Sequence, residues 1–86
     1  MPARRVTVAI PEGLHARPAA LFVKLAGEQP SPVTLRRPDG EAVPASSILS
    51  IMTLGVHAGE EVVLESDGDA AEASLDALET YLVSAG

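Results

Sequence analysis

Residues 5–27 read RVTVAIPEGLHARPAALFVKLAG, and they join a strand pattern directly to a helix pattern. The alternating, β-branched run at 5–10 predicts a strand, and the Pro-Glu-Gly sequence at 11–13 ends it. Apolar residues then recur at helical spacing from Ala16 to Ala26, and Gly27 is a natural C-terminal stop. We therefore expect the fold to begin with a strand that leads into a helix.

Three further strands are predicted along the chain, at 33–37, 41–43 and 61–66. The Pro-Asp-Gly turn at 38–40 makes the first two of these a hairpin. Because proline cannot donate a backbone hydrogen bond, Pro44 either ends the second strand or places it at the edge of the sheet.

Two further helices complete the pattern. A short helix is predicted at 46–55, and a last helix carries a core stripe at Ala71, Leu75, Leu78 and Leu82. Asp69 and Glu72 form a capping-box pattern at the start of that last helix. The order βαββαβα predicts an α+β fold in a single domain, 1–86, with helices covering one face of a largely antiparallel sheet.

The composition argues against nucleic-acid binding, disulfides and membrane insertion. The 86 residues are 47% hydrophobic and carry a formal charge of −6, which is unfavourable for general nucleic-acid binding. The chain has no cysteine, which excludes disulfides and cysteine-based zinc sites. No apolar run approaches the length of about 18 residues that a membrane helix needs, so we expect a cytoplasmic protein.

The start of the first helix favours chemistry with an anion. If that helix begins at Ala16, the backbone N–H groups of Ala16 and Arg17 have no intrahelical partner, and the helix dipole adds partial positive charge. Arg17 adds donors suited to phosphate oxygens. A cationic setting disfavours the imidazolium form of His15 and leaves a nucleophilic nitrogen lone pair. An ordinary polar helix start beside a solvated arginine is the structural alternative.

Other site chemistries find little support in the sequence. His57 is the only other histidine, and no second ligand has suitable spacing, so no metal site is expected. No G-x-S-x-G nucleophile motif is present for a hydrolase. His57 precedes a predicted turn, and we expect it to be only a polar surface residue.

The segments GLHARPAA, residues 13–20, and SSILSIMTLG, residues 46–55, resemble those of the HPr family, the histidine-containing phosphocarriers of the phosphoenolpyruvate-dependent sugar phosphotransferase system. The resemblance implies an open-faced β-sandwich, with a four-stranded antiparallel sheet covered on one face by three helices. It implies that His15 accepts a phosphoryl group on Nδ1 from enzyme I and passes it to an enzyme IIA domain, and that Arg17 stabilises the group and helps to transfer it. The open backbone N–H groups of Ala16 and Arg17 at the helix start are predicted to bind its oxygens. Such a protein is a carrier with a phosphohistidine intermediate, not an independent enzyme, and it needs no cofactor.

The second segment has two interpretations. Its five apolar residues are either all core or partly exposed, and five in seven positions are more than one face of a short helix can bury. By the resemblance, the two helices form a docking surface for partners with contact residues Ala16, Ala20, Lys24, Ile48, Leu49 and Met52. Ser47 matches a serine that a regulatory HPr kinase phosphorylates in some members, and its structural alternative is a helix N-cap.

Departures from the family pattern leave other readings open. Glu12 stands beside the histidine where a small polar or amide residue is usual, and we expect its carboxylate to point to solvent. The long hairpin is similar to that of the nitrogen-related HPr paralogue, which has a regulatory output. A docking-only HPr-like regulator would lack the active histidine, so the presence of His15 argues against it. A carrier that meets all its partners through one face is expected to be a monomer.

Overall fold

Residues 2–84, which the computed structural model describes, form four strands and three helices in the predicted order. The strands pair antiparallel in the spatial order β1-β4-β2-β3. The sheet and the helices together form an open-faced β-sandwich, which confirms the predicted α+β class. The elements are β1 (Ala3–Thr7), α1 (Ala16–Gly27), β2 (Val33–Arg36), β3 (Val43–Pro44), α2 (Ile48–Leu54), β4 (Glu61–Ser66) and α3 (Ala71–Leu82).

The first strand begins two residues earlier than predicted because its register with β4 decides its bounds. Ala3 faces Glu65 and Thr7 faces Glu61, the first residue of β4, so the regular ladder ends at Thr7. The chain nevertheless stays extended beside the next loop, where the N–H of Val8 donates to the carbonyl of Glu60. Val8 and Ile10 are therefore buried although they lie beyond the strand.

The edge position of Pro44 agrees with its chemistry. Pro44 pairs with Thr34 in the short strand β3, which is the last strand in the sheet order. The missing N–H of a proline costs little at an edge, where one side of the strand has no ladder partner.

The core lies between the sheet and the helices. The predicted stripe of α3 is fully buried, and Phe22 of α1 joins it with no exposed surface. Alternate residues of the strands point into the same layer, and the helix-facing residues of the three longer strands are Val6, Val33, Leu35, Val62 and Leu64. A core of small aliphatic side chains and one phenylalanine matches the low aromatic content of the sequence.

The predicted capping box at α3 is wrong. The N-cap is Ala70, whose side chain makes no capping hydrogen bond, and the helix starts at Ala71. Glu72 instead accepts a hydrogen bond from Nη2 of Arg4 at 2.6 Å. Arg4 also contacts Asp76 and Glu79, so one guanidinium on β1 binds three carboxylates of α3. Glu72 therefore belongs to a long-range ion-pair network and is not used as a local helix cap.

No helix within residues 2–84 is both long enough and apolar enough to cross a membrane.

Candidate functional site

The first helix begins at Ala16, as predicted. His15 is the N-cap of α1, its backbone is extended, and its side chain makes no capping hydrogen bond. The first helical bond at this end runs from the N–H of Ala19 to the carbonyl of His15, at 3.4 Å. Pro18 occupies the first turn, where its missing N–H costs nothing. The N–H groups of Ala16 and Arg17 therefore lack helical partners beside the His15 ring, which suits an anion.

Ala16 holds an unusual backbone conformation at this point. Its φ is 48°, in the left-handed region, and it is the only non-glycine residue with a positive φ among residues 2–84. For an L-residue this conformation costs roughly 1–2 kcal/mol. Leu14, two residues before Ala16, is firmly anchored, because its side chain is fully buried and its N–H donates to the carbonyl of Val56 at 2.9 Å. Packing of the loop thus imposes the turn that presents His15.

Arg17 has no carboxylate partner within residues 2–84. Within the described part of the chain, four of the arginines form ion pairs with carboxylates, whereas Arg17 and Lys24 form none. Arg17 is exposed and lies two residues from the histidine. Its guanidinium is therefore available to bind the oxygens of a phosphoryl group.

The structure brings His57 into direct contact with His15. Nε2 of His15 lies 3.3 Å from Nδ1 of His57, and the ring centroids are 4.9 Å apart with the planes tilted by 46°. The sequence did not predict this contact, because His57 was expected to be only a polar surface residue. Among residues 2–84 no third histidine or carboxylate joins the pair to form a metal-binding group.

Close backbone packing places the two histidine loops together. Gly13 has a φ of +67°, and a Cβ there would lie 2.5 Å from the carbonyl oxygen of Val56 and 2.9 Å from Cα of His57. Only glycine allows this approach, because any side chain would overlap with backbone atoms. The loop before α1 and the loop after α2 are thus in direct van der Waals contact.

A charged group holds the backbone of His57. Its N–H donates to Oε1 of Glu60 at 2.6 Å, and the other carboxylate oxygen, Oε2, accepts from Nη1 of Arg37 at 2.8 Å. The Arg37 hydrogen bond, followed by that from the His57 backbone, holds the pKa of Glu60 below its ordinary value. Arg37 also donates to the carbonyls of Leu54 and Gly55 at the end of α2. The histidine is therefore fixed at its backbone while its ring reaches His15.

Glu12 is exposed, as expected, and makes no ion pair with Arg17. It borders an open groove of about 420 Å³ that Arg17, Pro18 and Tyr81 also line. The hydroxyl of Tyr81 donates to the carbonyl of Pro18 at 3.0 Å, which ties α3 to the first turn of α1. Burial, and then the charge of Glu12, raise the pKa of that hydroxyl.

An apolar patch lies on α2 and the neighbouring face of α1. Leu49 is 77% exposed, whereas Ile51 of the same helix is fully buried, so α2 serves both the core and the surface. The two helices pack against each other. All six residues predicted for docking are exposed: Ala16, Ala20, Lys24, Ile48, Leu49 and Met52. We call these six residues the apolar patch. Leu21 of α1 is also exposed, but it lines the groove beside Tyr81.

The comparison with known proteins bears on this arrangement of a helix-start histidine, a free arginine and an apolar patch. The family model described as the PTS HPr component phosphorylation site matches residues 2–84. The chain belongs to the HPr family.

Individual HPr proteins match over nearly the whole chain. The phosphocarrier protein HPr of Streptomyces coelicolor is 50% identical over 78 residues, which cover 91% of this chain and 84% of that protein. The crystal structure of an HPr from Bacillus anthracis superimposes with a TM-score of 0.89 at 38% identity, covering 94% of this chain and 95% of that one. The HPr-like protein Crh of Bacillus subtilis is 42% identical and covers 92% of each chain.

Ser47 is the N-cap of α2 in this HPr-family chain. Its hydroxyl oxygen accepts a hydrogen bond from the N–H of Ser50 at 3.4 Å, which is the helix N-cap role predicted as its structural alternative. The structural role of Ser47 is therefore satisfied without any modification. Regulatory phosphorylation at Ser47 stays a prediction.

Proposed function

We propose that the chain is a phosphocarrier that accepts a phosphoryl group on Nδ1 of His15 from phosphorylated enzyme I and passes it to an enzyme IIA domain. The observation that carries the proposal is the set of donors around one nucleophile. The start of α1, where His15 lies, offers the open N–H groups of Ala16 and Arg17. It also offers the Arg17 guanidinium, which forms no ion pair within residues 2–84.

The two transfers use the same atoms in opposite directions. The lone pair on Nδ1 of His15 attacks phosphorus, the bond from phosphorus to the donor breaks, and that bonding pair stays with the donor. The ring then carries the phosphoryl group as an imidazolium, with its proton on Nε2. In the second transfer the P–N bond breaks, its electron pair returns to Nδ1, and the acceptor gains the phosphoryl group. Arg17 and the helix start neutralise the phosphoryl oxygens in both steps.

The test is transfer from phosphoenolpyruvate. The purified chain is incubated with labelled phosphoenolpyruvate and enzyme I, and then with enzyme IIA. We expect label on the chain that is labile in acid, stable in base, and lost to enzyme IIA. No labelling by any enzyme I would contradict the proposal. Running the test with sugar-system and nitrogen-system partners separates the sugar branch from the nitrogen-related branch.

Replacing Arg17 by alanine is expected to slow phosphoryl transfer about 10- to 100-fold, because a charge-assisted contact to the phosphoryl oxygens is lost. Arg17→Lys keeps the charge but not the planar pair of donors, and it should recover only part of the rate. Transfer rates from phospho-enzyme I, measured by rapid quench, check this expectation. A lysine variant as slow as the alanine variant would show that charge alone does not account for the role of Arg17.

The apolar patch is proposed to dock both partners. Leu49→Glu places a charge on its most exposed large apolar side chain and is expected to raise the KM for enzyme I at least about tenfold, because an unpaired charge is costly to desolvate in an interface. Thr80→Glu adds the same charge at an exposed position of α3, outside the patch, and should leave KM within about twofold. Equal KM values for the two variants would contradict docking through this patch. Since one face serves both partners, the carrier is proposed to work as a cytoplasmic monomer.

The Crh relative supports a second candidate function, a regulator that acts by docking alone. That candidate predicts binding to a partner without phosphoryl transfer. The presence of His15 at an open helix start favours the carrier, and the phosphoenolpyruvate experiment separates the two candidates.

A further inference from the structure

We propose that His57 is a positioning residue for phosphoryl transfer: Nδ1 of His57 accepts a hydrogen bond from Nε2–H of His15 and so keeps the lone pair on Nδ1 of His15. The inference rests on the proposed function. It starts from the 3.3 Å contact between these two nitrogens, which leaves Nδ1 as the nitrogen of the His15 ring outside the contact.

A single proton between the two neutral rings allows two arrangements. In one, His15 donates from Nε2 and its Nδ1 lone pair faces outward. In the other, His57 donates from Nδ1, so the proton of His15 lies on its own Nδ1 and blocks attack there. Because a hydrogen bond at one imidazole nitrogen decides the state of the other, the contact controls the nucleophile.

The phosphorylated state allows only the first arrangement. Once Nδ1 of His15 bonds to phosphorus, the proton of the imidazolium must lie on Nε2, facing His57. The acceptor role of His57 is therefore the same before and after transfer, and no proton has to move. The hydrogen bond also becomes charge-assisted in the phosphorylated state, when the donor is an imidazolium.

The charged groups around His57 hold it in place for this role. The Glu60 carboxylate fixes its backbone N–H, and Arg37 binds that carboxylate from the other side. Gly13 lets the loop that carries His15 approach the backbone of Val56 and His57. On the His15 side, the charged side chains of Glu12 and Arg17 are exposed and make no ion pair with any of residues 2–84. His57 is thus positioned by residues that do not themselves contact the phosphoryl group.

The test compares His57→Ala with His57→Asn. The Oδ1 atom of asparagine is separated from Cα by the same number of bonds as Nδ1 of histidine, and it can accept the same hydrogen bond. Long-range ¹H–¹⁵N spectra in mildly alkaline buffer report the protonation of each ring nitrogen, and the chain has only two imidazoles. We expect the wild-type chain and the asparagine variant to show His15 protonated at Nε2 alone, and the alanine variant to show mixed tautomers.

Kinetics supply the second measurement. With enzyme IIA as acceptor, His57→Ala is expected to lower kcat about fivefold with KM unchanged, and His57→Asn to stay within twofold of the wild-type chain. Unchanged ¹⁵N signals and kcat in His57→Ala, or a change in KM alone, would overturn the proposal. If the wild-type chain accepts no label at all, the proposed function fails instead, and the spectra still decide whether His57 sets the His15 tautomer.

Discussion

The His15→Ala chain is expected to accept no phosphoryl group from phosphoenolpyruvate and enzyme I, a loss of at least about a thousandfold. The reason is chemical, because alanine has no atom that can form the P–N bond. His15 is also only half-buried and its side chain makes no capping bond, so its removal should leave the fold intact. Acid-labile label and far-UV circular dichroism measure the two expectations on the same preparation.

His57→Ala is the matched control for this loss. It removes the other imidazole of the chain, 3.3 Å away, yet it should still accept label, only more slowly. If His15→Ala keeps the label while His57→Ala loses it, the nucleophile has been assigned to the wrong ring.

Gly13→Ala is expected to give the largest loss of stability, about 2–4 kcal/mol in the free energy of unfolding. A Cβ at this position would lie 2.5 Å from the Val56 carbonyl oxygen and 2.9 Å from Cα of His57, and both are backbone atoms that cannot move aside cheaply. The positive φ adds a conformational cost, and the overlap adds the cost of overpacking. Chemical denaturation of the variant and the wild-type chain measures the difference.

Gly55→Ala separates these two costs. Gly55 has a similar φ of +60°, but a Cβ there meets nothing within 4 Å. The Gly55→Ala variant should lose only about 1–2 kcal/mol in the free energy of unfolding, which is the conformational cost without any overlap. Equal losses at the two glycines would show that the close approach of the loops contributes nothing.

The elements that could be predicted from the sequence are those with a strong internal period. The stripe of α3 repeats the spacing of a helix face, and all four of its residues are buried. Strand β4 matches its predicted bounds, 61–66, because turn residues flank a β-branched run on both sides. The start of α1 follows from local chemistry, since proline in the first turn and an anion-friendly N-cap are signals within a few residues.

The features that the sequence did not predict depend on contacts between distant residues. Asp69 and Glu72 form a sound capping pattern. In the structure, however, Glu72 pairs with Arg4, which is 68 residues away in sequence, and does not cap the helix. The contact between His15 and His57 spans 42 residues and depends on how closely two loops approach at Gly13. Gly13, two residues before the histidine, was the one sign in the sequence of a close backbone approach. The residue that approaches it, Val56, could be identified only from the structure.

The most direct test of the central claim is the position of the phosphoryl group on the ring. The ¹⁵N-labelled chain, phosphorylated with phosphoenolpyruvate and enzyme I, is examined by ³¹P and long-range ¹H–¹⁵N spectra without isolation of fragments. We predict one phosphoryl group per chain, bonded to Nδ1 of His15, with Nε2 of the same ring protonated. A phosphoryl group on Nε2 of His15, or on either nitrogen of His57, would contradict the account.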